Sequence, residues 1–311
     1  MNIAILIATR NNPSKVDRLL DSLVFSSNHI TQLIVVSSGE NISAIVNKFT
    51  GIFNLKYLHS EVSGQIFQKM IGIELIESNI QWVIFLDDDV IMHKNTLDIF
   101  VNNYLKNSNF INVCGFGFKV QNLKSRMSNS KLIPFLKLVG LYSDKKGSVL
   151  TSGHVQEYQN SLVDTKTHWL NGASAWKVEM LANYNSSFPN IDYAAYEDVI
   201  FSYGLSKKND LLFASKAMLV NQNSEDYTPL TVQRFRAGAY MRYLFVSTNK
   251  ELSRFRFLVA QIIRTIDFII NGDRSISILL RFSKSCQILF DLLFAILFRT
   301  NPTLLLKKRY N

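Results

Sequence analysis

Three consecutive aspartates, Asp87, Asp88 and Asp89, follow directly behind the apolar run 82–86. A run this short and apolar is typical of a buried strand. Three carboxylates at the end of one strand repel each other, which raises their pKa values unless a cation or hydrogen-bond donors lie among them. Oxygen ligands favour hard cations, so the triplet predicts a site for Mg²⁺ or Mn²⁺ that substrate phosphates complete. The alternative is a solvated turn after an edge strand.

The elements around this triplet alternate between strand and helix. Segments 14–25 and 64–77 carry apolar residues at helical spacing, between apolar runs of strand length. This order predicts an α/β fold with a mostly parallel central sheet flanked by helices, in which ligands bind at the carboxyl ends of the strands. The expected strands are 3–8, 33–36, 82–86 and 111–118.

The charge of the chain is concentrated in its last quarter. The 311 residues carry a formal net charge of +10, and residues 231–311 hold 14 basic and 4 acidic side chains, so residues 1–230 are neutral. We predict an α/β domain over 1–230 and a basic, hydrophobic helical region over 231–311. An asymmetry of this kind indicates an anionic partner for the second region.

Other features of the composition restrict the class of protein. The two cysteines, Cys114 and Cys286, are far apart, which predicts neither a disulfide framework nor a zinc site and favours a reducing compartment. The apolar start of the chain is too short for a signal peptide or a spanning helix, so we expect it to be the first strand. Residues 125–167 are loop-rich, and they form either loops that select the acceptor or a surface insertion.

Five short motifs come in an order that is familiar from one enzyme family. Along residues 1–225 the sequence contains Thr9-Arg10-Asn11, Ser37-Ser38-Gly39, Asp87-Asp88-Asp89, Gly172-Ala173-Ser174 and Glu197-Asp198. With these motifs the chain resembles the family 2 glycosyltransferases. The resemblance implies a GT-A fold, a nucleotide-binding α/β domain in which a DxD motif holds a divalent metal against the diphosphate of a sugar nucleotide.

The resemblance also implies roles for individual residues. Asp89 binds the metal. Asp87, on the same side of the strand end, helps to orient the ribose or the water shell of the metal, and Asp88 points elsewhere. Asp198 is the base that deprotonates the acceptor hydroxyl, and Glu197 positions the acceptor or replaces Asp198 as the base. For this pair the alternative is the acidic first turn of an ordinary helix. The residues expected to contact the donor are Thr9, Arg10, Asn11, Ser37, Gly39, Lys69, Asp87 and Asp88.

The chain departs from the family pattern at three positions. Ser37 stands where many members carry an acid, and Lys69 stands where an arginine with its planar fork is usual. The histidine that often follows the last strand as an additional metal ligand is absent from residues 217–223, where Asn221 could substitute through its amide oxygen. His154 is a more distant second candidate. The metal would then be bound by Asp89 and the donor phosphates alone.

Residues 255–311 mix long apolar stretches with arginine and lysine. The longest apolar run, 286–298, has 13 residues and includes Asp291, whereas a spanning helix needs roughly 20. We expect a helical hairpin on an anionic membrane surface, tethered by Lys307, Lys308 and Arg309. The alternative is a helical subdomain that packs on the catalytic domain or forms a homodimer. Nucleic acid is not expected, because the basic residues lie among Leu, Ile and Phe.

These patterns together predict an inverting, metal-dependent glycosyltransferase. It would move a sugar from a nucleotide-sugar donor to a hydroxyl of a lipid-linked or oligosaccharide acceptor in bacterial envelope polysaccharide synthesis. The expected location is peripheral, at the cytoplasmic face of the inner membrane. Two alternatives stay open. One is a phosphatase or phosphotransferase with Asp87 as nucleophile, although Ile91 stands where that chemistry usually has Thr or Val. The other is a non-catalytic, membrane-docked scaffold.

Overall fold

The chain divides into two units built from interleaved segments. The computed structural model describes residues 1–121, 133–184, 188, 195–222, 230–273 and 275–300. The first unit comprises Met1–Ser125, Tyr158–Asp192 and Asp198–Glu225, and the second comprises Arg126–Glu157, Tyr193–Glu197 and Asp226–Asn311. The predicted boundary after residue 230 stays a prediction.

The first unit contains a mixed β-sheet. Its strands in the described residues are β1 (Ile3–Arg10), β2 (Gln32–Ser38), β3 (Leu55–Ser60), β4 (Trp82–Asp87), β5 (Val90–Met92), β6 (Val113–Gln121), β7 (Thr165–Thr167), β8 (Ser174–Lys177) and β9 (Asp210–Asn221). They are ordered β3-β2-β1-β4-β8-β6-β9-β5, and β7 pairs with β9. The predicted α/β class is confirmed.

The half of the sheet that carries the acidic triplet is parallel. Strands β3, β2, β1 and β4 run in the same direction. Strands β1 and β2 are buried along almost their whole length, as expected for parallel strands that are covered on both faces. Strand β8 then runs antiparallel to both β4 and β6, so the prediction of a mostly parallel sheet holds for the first four strands and the other half is mixed.

Helices in the described residues accompany the strands. They are α1 (Pro13–Val24), α2 (Ser43–Val46), α3 (Gln65–Glu74), α4 (Thr96–Phe100), α5 (Ile133–Leu138), α6 (Glu197–Ser206), α7 (Val232–Thr248), α8 (Arg254–Asn271) and α9 (Ile278–Leu297). Helix α1 begins with Pro13, whose fixed φ suits the first helical position, and it buries Val16, Leu19, Leu20 and Leu23. Helix α3 ends three residues earlier than predicted.

An aromatic cluster anchors the core of the first unit. Phe100 lies 5.4 Å from Phe116 and 4.9 Å from Phe118 between ring centroids, and Trp82 lies 5.5 Å from Phe116. All four side chains are at most 8 % exposed. This packing fixes β4 and β6, and with β4 the strand end that carries the acidic triplet.

The second unit contains the helical region that the sequence predicts. The Phe235 ring of α7 stacks on Phe268 of α8 with centroids 4.3 Å apart, and Tyr240 of α7 donates a 2.6 Å hydrogen bond to Asp291 of α9. In the residues that the structure describes, none of the helices combines the length and apolarity that a membrane crossing requires. The expected tether of Lys307, Lys308 and Arg309 lies outside the described residues.

Candidate active site

The acidic triplet forms the turn between β4 and β5. Asp87 ends β4, and β5 begins at Val90, which pairs with Asn221 at the end of β9. The Gln222 side chain donates to the carbonyl oxygens of Asp88 (3.3 Å) and Val90 (2.9 Å), and its backbone N–H donates to the Asp89 carbonyl (2.7 Å). Gln222 therefore fixes the backbone of the turn, a role that no sequence signal indicated.

Asp88 turns away from its two neighbours and holds the end of β1. Its Oδ2 accepts hydrogen bonds from Thr9 Oγ1 (2.5 Å) and Asn12 Nδ2 (2.9 Å). Thr9 is only 3 % exposed and Asp88 is half-buried, so this hydrogen bond is partly shielded from water. The structure thus gives both Thr9 and Asp88, which the sequence predicts as donor contacts, a partner within the protein. Their contact with a donor stays a prediction.

Asp87 is held between α3 and the segment that precedes β8. Its Oδ1 accepts a 2.9 Å hydrogen bond from Gln65 Nε2. On its other side the carboxylate lies against Gly172, where an added Cβ would come within 3.0 Å of both Cγ and Oδ1. Gly172 therefore leaves room for the Asp87 carboxylate, which explains why a glycine suits this position.

Asp89 has an electrostatic environment that disfavours its charged form. Burial raises the pKa of the Asp89 carboxyl, and the charges of Asp87 and Asp88 raise that pKa further, while Lys15 lowers it. A cation beside Asp89 would reverse the effect of the two neighbouring carboxylates. The repulsion expected from the sequence therefore acts on Asp89, the predicted metal ligand.

The ends of β1 and β2 meet beside this turn. Gln68 of α3 is 2 % exposed and donates to the carbonyl oxygens of Thr9 (2.6 Å) and Val36 (2.9 Å), which joins the two strand ends. Gly39 has a φ of +76° and lies against the Asn11 side chain, whose Oδ1 accepts from the Glu40 N–H at 2.9 Å. A side chain at Gly39 would therefore be strained and would displace Asn11.

The remaining predicted donor contacts differ in exposure. Arg10 is exposed at the end of β1, whereas Ser37 is 1 % exposed and its hydroxyl contacts Tyr57 Oη (2.8 Å) and His59 Nδ1 (3.0 Å). Lys69 is 3 % exposed, and its ammonium lies 5.4 Å from the centroid of the Phe85 ring. A donor contact of Ser37 or Lys69 stays a prediction.

The pair Glu197 and Asp198 begins α6, where acidic side chains are favoured by the helix dipole. Glu197 is 5 % exposed, and Asp198 is half-buried with its Oδ1 accepting from the Val199 N–H at 2.8 Å. One turn further along, Ser202 donates to the Asp198 carbonyl and accepts from the Leu170 N–H at 3.0 Å.

These hydrogen bonds connect Asp198 with the acidic turn. Leu170 lies two residues before Gly172, and Gly172 contacts the Asp87 carboxylate. Gly172 in turn precedes β8, whose Ser174 pairs with Phe85 near the end of β4. Ser202 of α6 and the Asp87 side chain therefore both contact the short segment 170–172.

The turn of Asp87, Asp88 and Asp89 offers at most two carboxylates to a metal ion. Among them, no group of three or more His, Cys, Asp or Glu side chains is arranged to enclose a metal. Asp88 is turned aside to Thr9 and Asn12, which leaves Asp87 and Asp89 as oxygen donors of the turn. Mg²⁺ typically binds through one or two carboxylates together with substrate phosphates and water, and this donor set suits that mode.

The two proposed replacements for the missing histidine occupy different units. Asn221 pairs with Val90 at the end of β9, in register with the start of β5. His154 belongs to the second unit and is 4 % exposed, and burial together with Arg242 and Arg264 holds the pKa of its imidazole well below its usual range. His154 is therefore neutral and packed inside its own unit.

Comparison with known proteins identifies the family. The profile described as Glycosyl transferase family 2 matches residues 4–165, which run from β1 through β6 to the start of β7 and include the acidic turn. The chain belongs to glycosyltransferase family 2. This confirms the resemblance drawn from the motifs and the prediction of a glycosyltransferase. No protein among the curated sequences matches this family 2 chain.

Solved structures of glycosyltransferases share its fold. S. aureus TarS 1-349 in complex with UDP-GlcNAc is 13 % identical with a TM-score of 0.55, over 94 % of this chain and 81 % of TarS 1-349. The mannosyltransferase PcManGT from Pyrobaculum calidifontis, in complex with GDP-Man and Mn²⁺, is 11 % identical with a TM-score of 0.54, over 97 % and 84 % of the two chains. GalNAc-T7 with UDP, GalNAc and Mn²⁺ is 13 % identical with a TM-score of 0.53, over 81 % and 51 %. The predicted GT-A fold is confirmed.

Proposed function

We propose that this family 2 glycosyltransferase transfers a sugar, with inversion at its anomeric carbon, from a nucleotide-sugar donor to a hydroxyl of a glycan acceptor. The observation that carries the proposal is the acidic turn, where Asp87 and Asp89 lie at the carboxyl edge of four parallel strands. Ligands of such sheets bind at this edge. Solved structures with the same fold are complexes with UDP-GlcNAc and with GDP-Man, which supports a nucleotide sugar as donor.

Asp89 and Asp87 would hold a Mn²⁺ or Mg²⁺ ion together with the donor diphosphate. When bound, the cation would neutralise the negative charge of the departing diphosphate. Gln65 and Gly172 fix the Asp87 carboxylate, and Gln222 fixes the backbone of Asp89. The Mn²⁺ complexes of PcManGT and GalNAc-T7 support the choice of a divalent ion.

Asp198 would act as the general base for the acceptor. Its carboxylate takes the proton of the acceptor hydroxyl while the hydroxyl oxygen bonds to the anomeric carbon. The bond from that carbon to the diphosphate oxygen breaks, and the nucleoside diphosphate leaves with the electron pair. Attack opposite to the leaving group inverts the configuration. Glu197 is buried, so we assign it the positioning of the acceptor or of Asp198.

We further propose that the acceptor is lipid-linked and that the enzyme contributes to bacterial envelope polysaccharide synthesis at the cytoplasmic face of the inner membrane. The support is the basic helical region over residues 231–311, which carries the whole net charge of +10 and suits an anionic membrane surface. The transfer chemistry does not depend on this location, so the two parts of the proposal can be tested separately.

Donor binding tests the central part of the proposal. Isothermal titration of the full-length protein with UDP-sugars and GDP-sugars, each with Mn²⁺ and with EDTA, is expected to find a donor that binds only with the metal. The bound donor is then incubated with oligosaccharide and lipid-linked acceptors, and NMR reports the anomeric configuration of the product. Binding of none of the donors, or retention of configuration, would contradict the proposal. A phosphorylated Asp87 trapped during turnover would instead support the phosphatase alternative.

A further inference from the structure

Helix α9 packs into the second unit through a single stripe. The stripe recurs every three or four residues, so its members share one face of the helix. These buried residues are Arg281, Ser285, Ile288, Leu292 and Ala295. The Tyr243 hydroxyl donates to the Ala295 carbonyl at 3.0 Å, which fixes the stripe against α7.

The opposite side of α9 is also apolar. We call its residues Leu279, Cys286, Phe290, Phe294 and Leu297 the outer face. At 3.6 residues per turn, each lies within about 40° of the direction opposite to the buried stripe. Leu279 is 78 % exposed, and Phe290 and Leu297 are each 68 % exposed. A helix that is apolar on both sides is normally covered on both sides.

Helix α8 shows the same arrangement. Its buried residues include Phe257, Gln261, Thr265 and Phe268, while the large apolar residues on its other side are exposed. Those exposed residues are Phe255, Ile262, Ile266 and Ile270. Helices α8 and α9 pack on each other, so the hairpin presents apolar side chains from both of its helices to the outside.

Polar side chains are buried on the packed sides of α8 and α9. Gln261, Thr265 and Ser285 are at most 3 % exposed, and both amide atoms of Gln261 and the two hydroxyls have no hydrogen-bond partner within the described part of the chain. In water-soluble proteins buried polar groups are paired and large apolar side chains are buried. In proteins that contact lipid, polar side chains face the inside of the helical bundle and apolar side chains face the lipid.

We infer that the outer face of α9, with the exposed side of α8, docks in the plane of an anionic lipid bilayer. The helices of the hairpin do not have the character of membrane spans, so they would lie in the interface with their apolar sides among the acyl chains. Residues 231–311 carry 14 basic and 4 acidic side chains, and each basic side chain near an anionic surface strengthens binding about fivefold.

A second copy of the chain suits this face less well. A symmetric pair would bring two regions together that each carry a net charge of +10, and the like charges would oppose association. The inference deepens the membrane part of the proposed function and rests on it for the choice of membrane. Vesicle binding requires no sugar donor, so its failure and the failure of glycosyl transfer are separate results.

Cosedimentation of the full-length protein with vesicles tests the inference. We expect binding to mixed phosphatidylcholine and phosphatidylglycerol vesicles and much weaker binding to phosphatidylcholine alone. Phe290→Ser/Leu297→Ser should lower the partition coefficient about a hundredfold, because two large apolar side chains leave the lipid. The matched control is Ile111→Ser/Leu162→Ser, which changes two side chains of the first unit that are 71 % and 86 % exposed and should bind like the wild type.

The native cysteines provide a second measurement. Cys286 is exposed in the middle of the outer face, whereas Cys114 is buried and burial raises the pKa of its thiol to about 11. A thiol-reactive fluorophore should therefore label Cys286 selectively. Its emission should shift to the blue with anionic vesicles and be quenched by spin-labelled acyl chains. A label at Ile111→Cys in a Cys286→Ser background should show neither effect.

The possible results separate the alternatives. Loss of binding in the outer-face variant, with acyl-chain quenching at Cys286, supports the inference. Wild-type binding by that variant would mean that charge alone attracts the protein, which overturns the outer face as the docking surface. Self-association without lipid that the same variant abolishes would assign the face to a second copy. Equal binding to neutral and to anionic vesicles would overturn the inference that the partner is an anionic lipid surface.

Discussion

Replacing Gly172 by alanine probes the geometry on which the proposed donor site depends. The new Cβ would lie 3.0 Å from Cγ and Oδ1 of Asp87 and closer still to Oδ2, whereas ordinary contacts begin at about 3.4 Å. Gly172 is not among the glycines with a positive φ, so the backbone accepts alanine. The carboxylate must therefore withdraw by up to about 1 Å, against its hydrogen bond from Gln65.

The expected loss of activity follows from that displacement. A misplacement of about 1 Å at a reacting site can cost about a hundredfold in rate, which corresponds to about 2.7 kcal/mol of transition-state free energy. We predict a drop of this size in kcat/KM for the donor selected by titration, measured as release of nucleoside diphosphate. The melting temperature should change little, because Gly172 is only half-buried.

Gly204→Ala is the matched control. Gly204 lies in α6, the helix that begins with Glu197 and Asp198, and an added Cβ would have no neighbour within 4 Å. This variant should keep its activity and gain about 0.5–1 kcal/mol of stability, because alanine is the better helix former. Equal kcat/KM for Gly172→Ala and Gly204→Ala, with both proteins folded, would refute a role of Asp87 in donor binding.

Three further predictions concern other parts of the site. Asp198→Asn should lower transfer by about 10²–10⁴-fold and leave the Kd for the donor unchanged in titration calorimetry; an equal loss of donor affinity would contradict its role as base. Asp89→Asn should raise the melting temperature in metal-free buffer at neutral pH. The pKa of Asp89 is raised in the folded protein, so its charged form lowers stability as pH rises through that pKa, and the asparagine variant avoids this loss. The gain should vanish in acid, where Asp89 is protonated. The same variant should no longer be stabilised by Mn²⁺, and lower stability without metal at neutral pH would contradict a destabilising charge at Asp89. Ser202→Ala should cost about 1–3 kcal/mol in urea unfolding, because the Leu170 N–H is left buried without its acceptor, whereas Ser206→Ala on the same helix should cost less; equal losses would contradict this.

The strands that are buried along almost their whole length could be predicted from the sequence. Strands β1, β2 and β4 are covered on both faces, so their apolar runs indicate strands whatever their neighbours are. The direction of β8 could not be predicted, because four residues of ordinary composition do not encode whether a strand enters a sheet parallel or antiparallel.

The carboxylates of the site were visible in the sequence, but the contacts that hold them were not. Asp88 binds Thr9 across 79 positions of the chain, and Gln222 supports the turn from the far end of β9. Gln65 and Gly172 similarly reach Asp87 only once the sheet has formed. Such partners have no local pattern, because polar side chains pair with whatever the tertiary fold brings near.

For the C-terminal helices, too, one feature could be predicted from the sequence and another could not. The apolar run over 286–298 and its interruption by Asp291 were evident in the sequence. Which side of α9 is packed was not evident, because large apolar residues lie on two opposite sides of the helix. Only packing against α7 and α8 assigned Ser285 to the inside and Phe290 to the outside.

Anomalous diffraction at the manganese edge, from crystals grown with Mn²⁺ and the donor selected by titration, would locate the metal and the donor diphosphate in the same crystal. We expect one strong peak between the donor diphosphate and the carboxylates of Asp89 and Asp87, with the anomeric carbon facing Asp198. A bound donor whose diphosphate and metal lie away from the turn between β4 and β5 would contradict it.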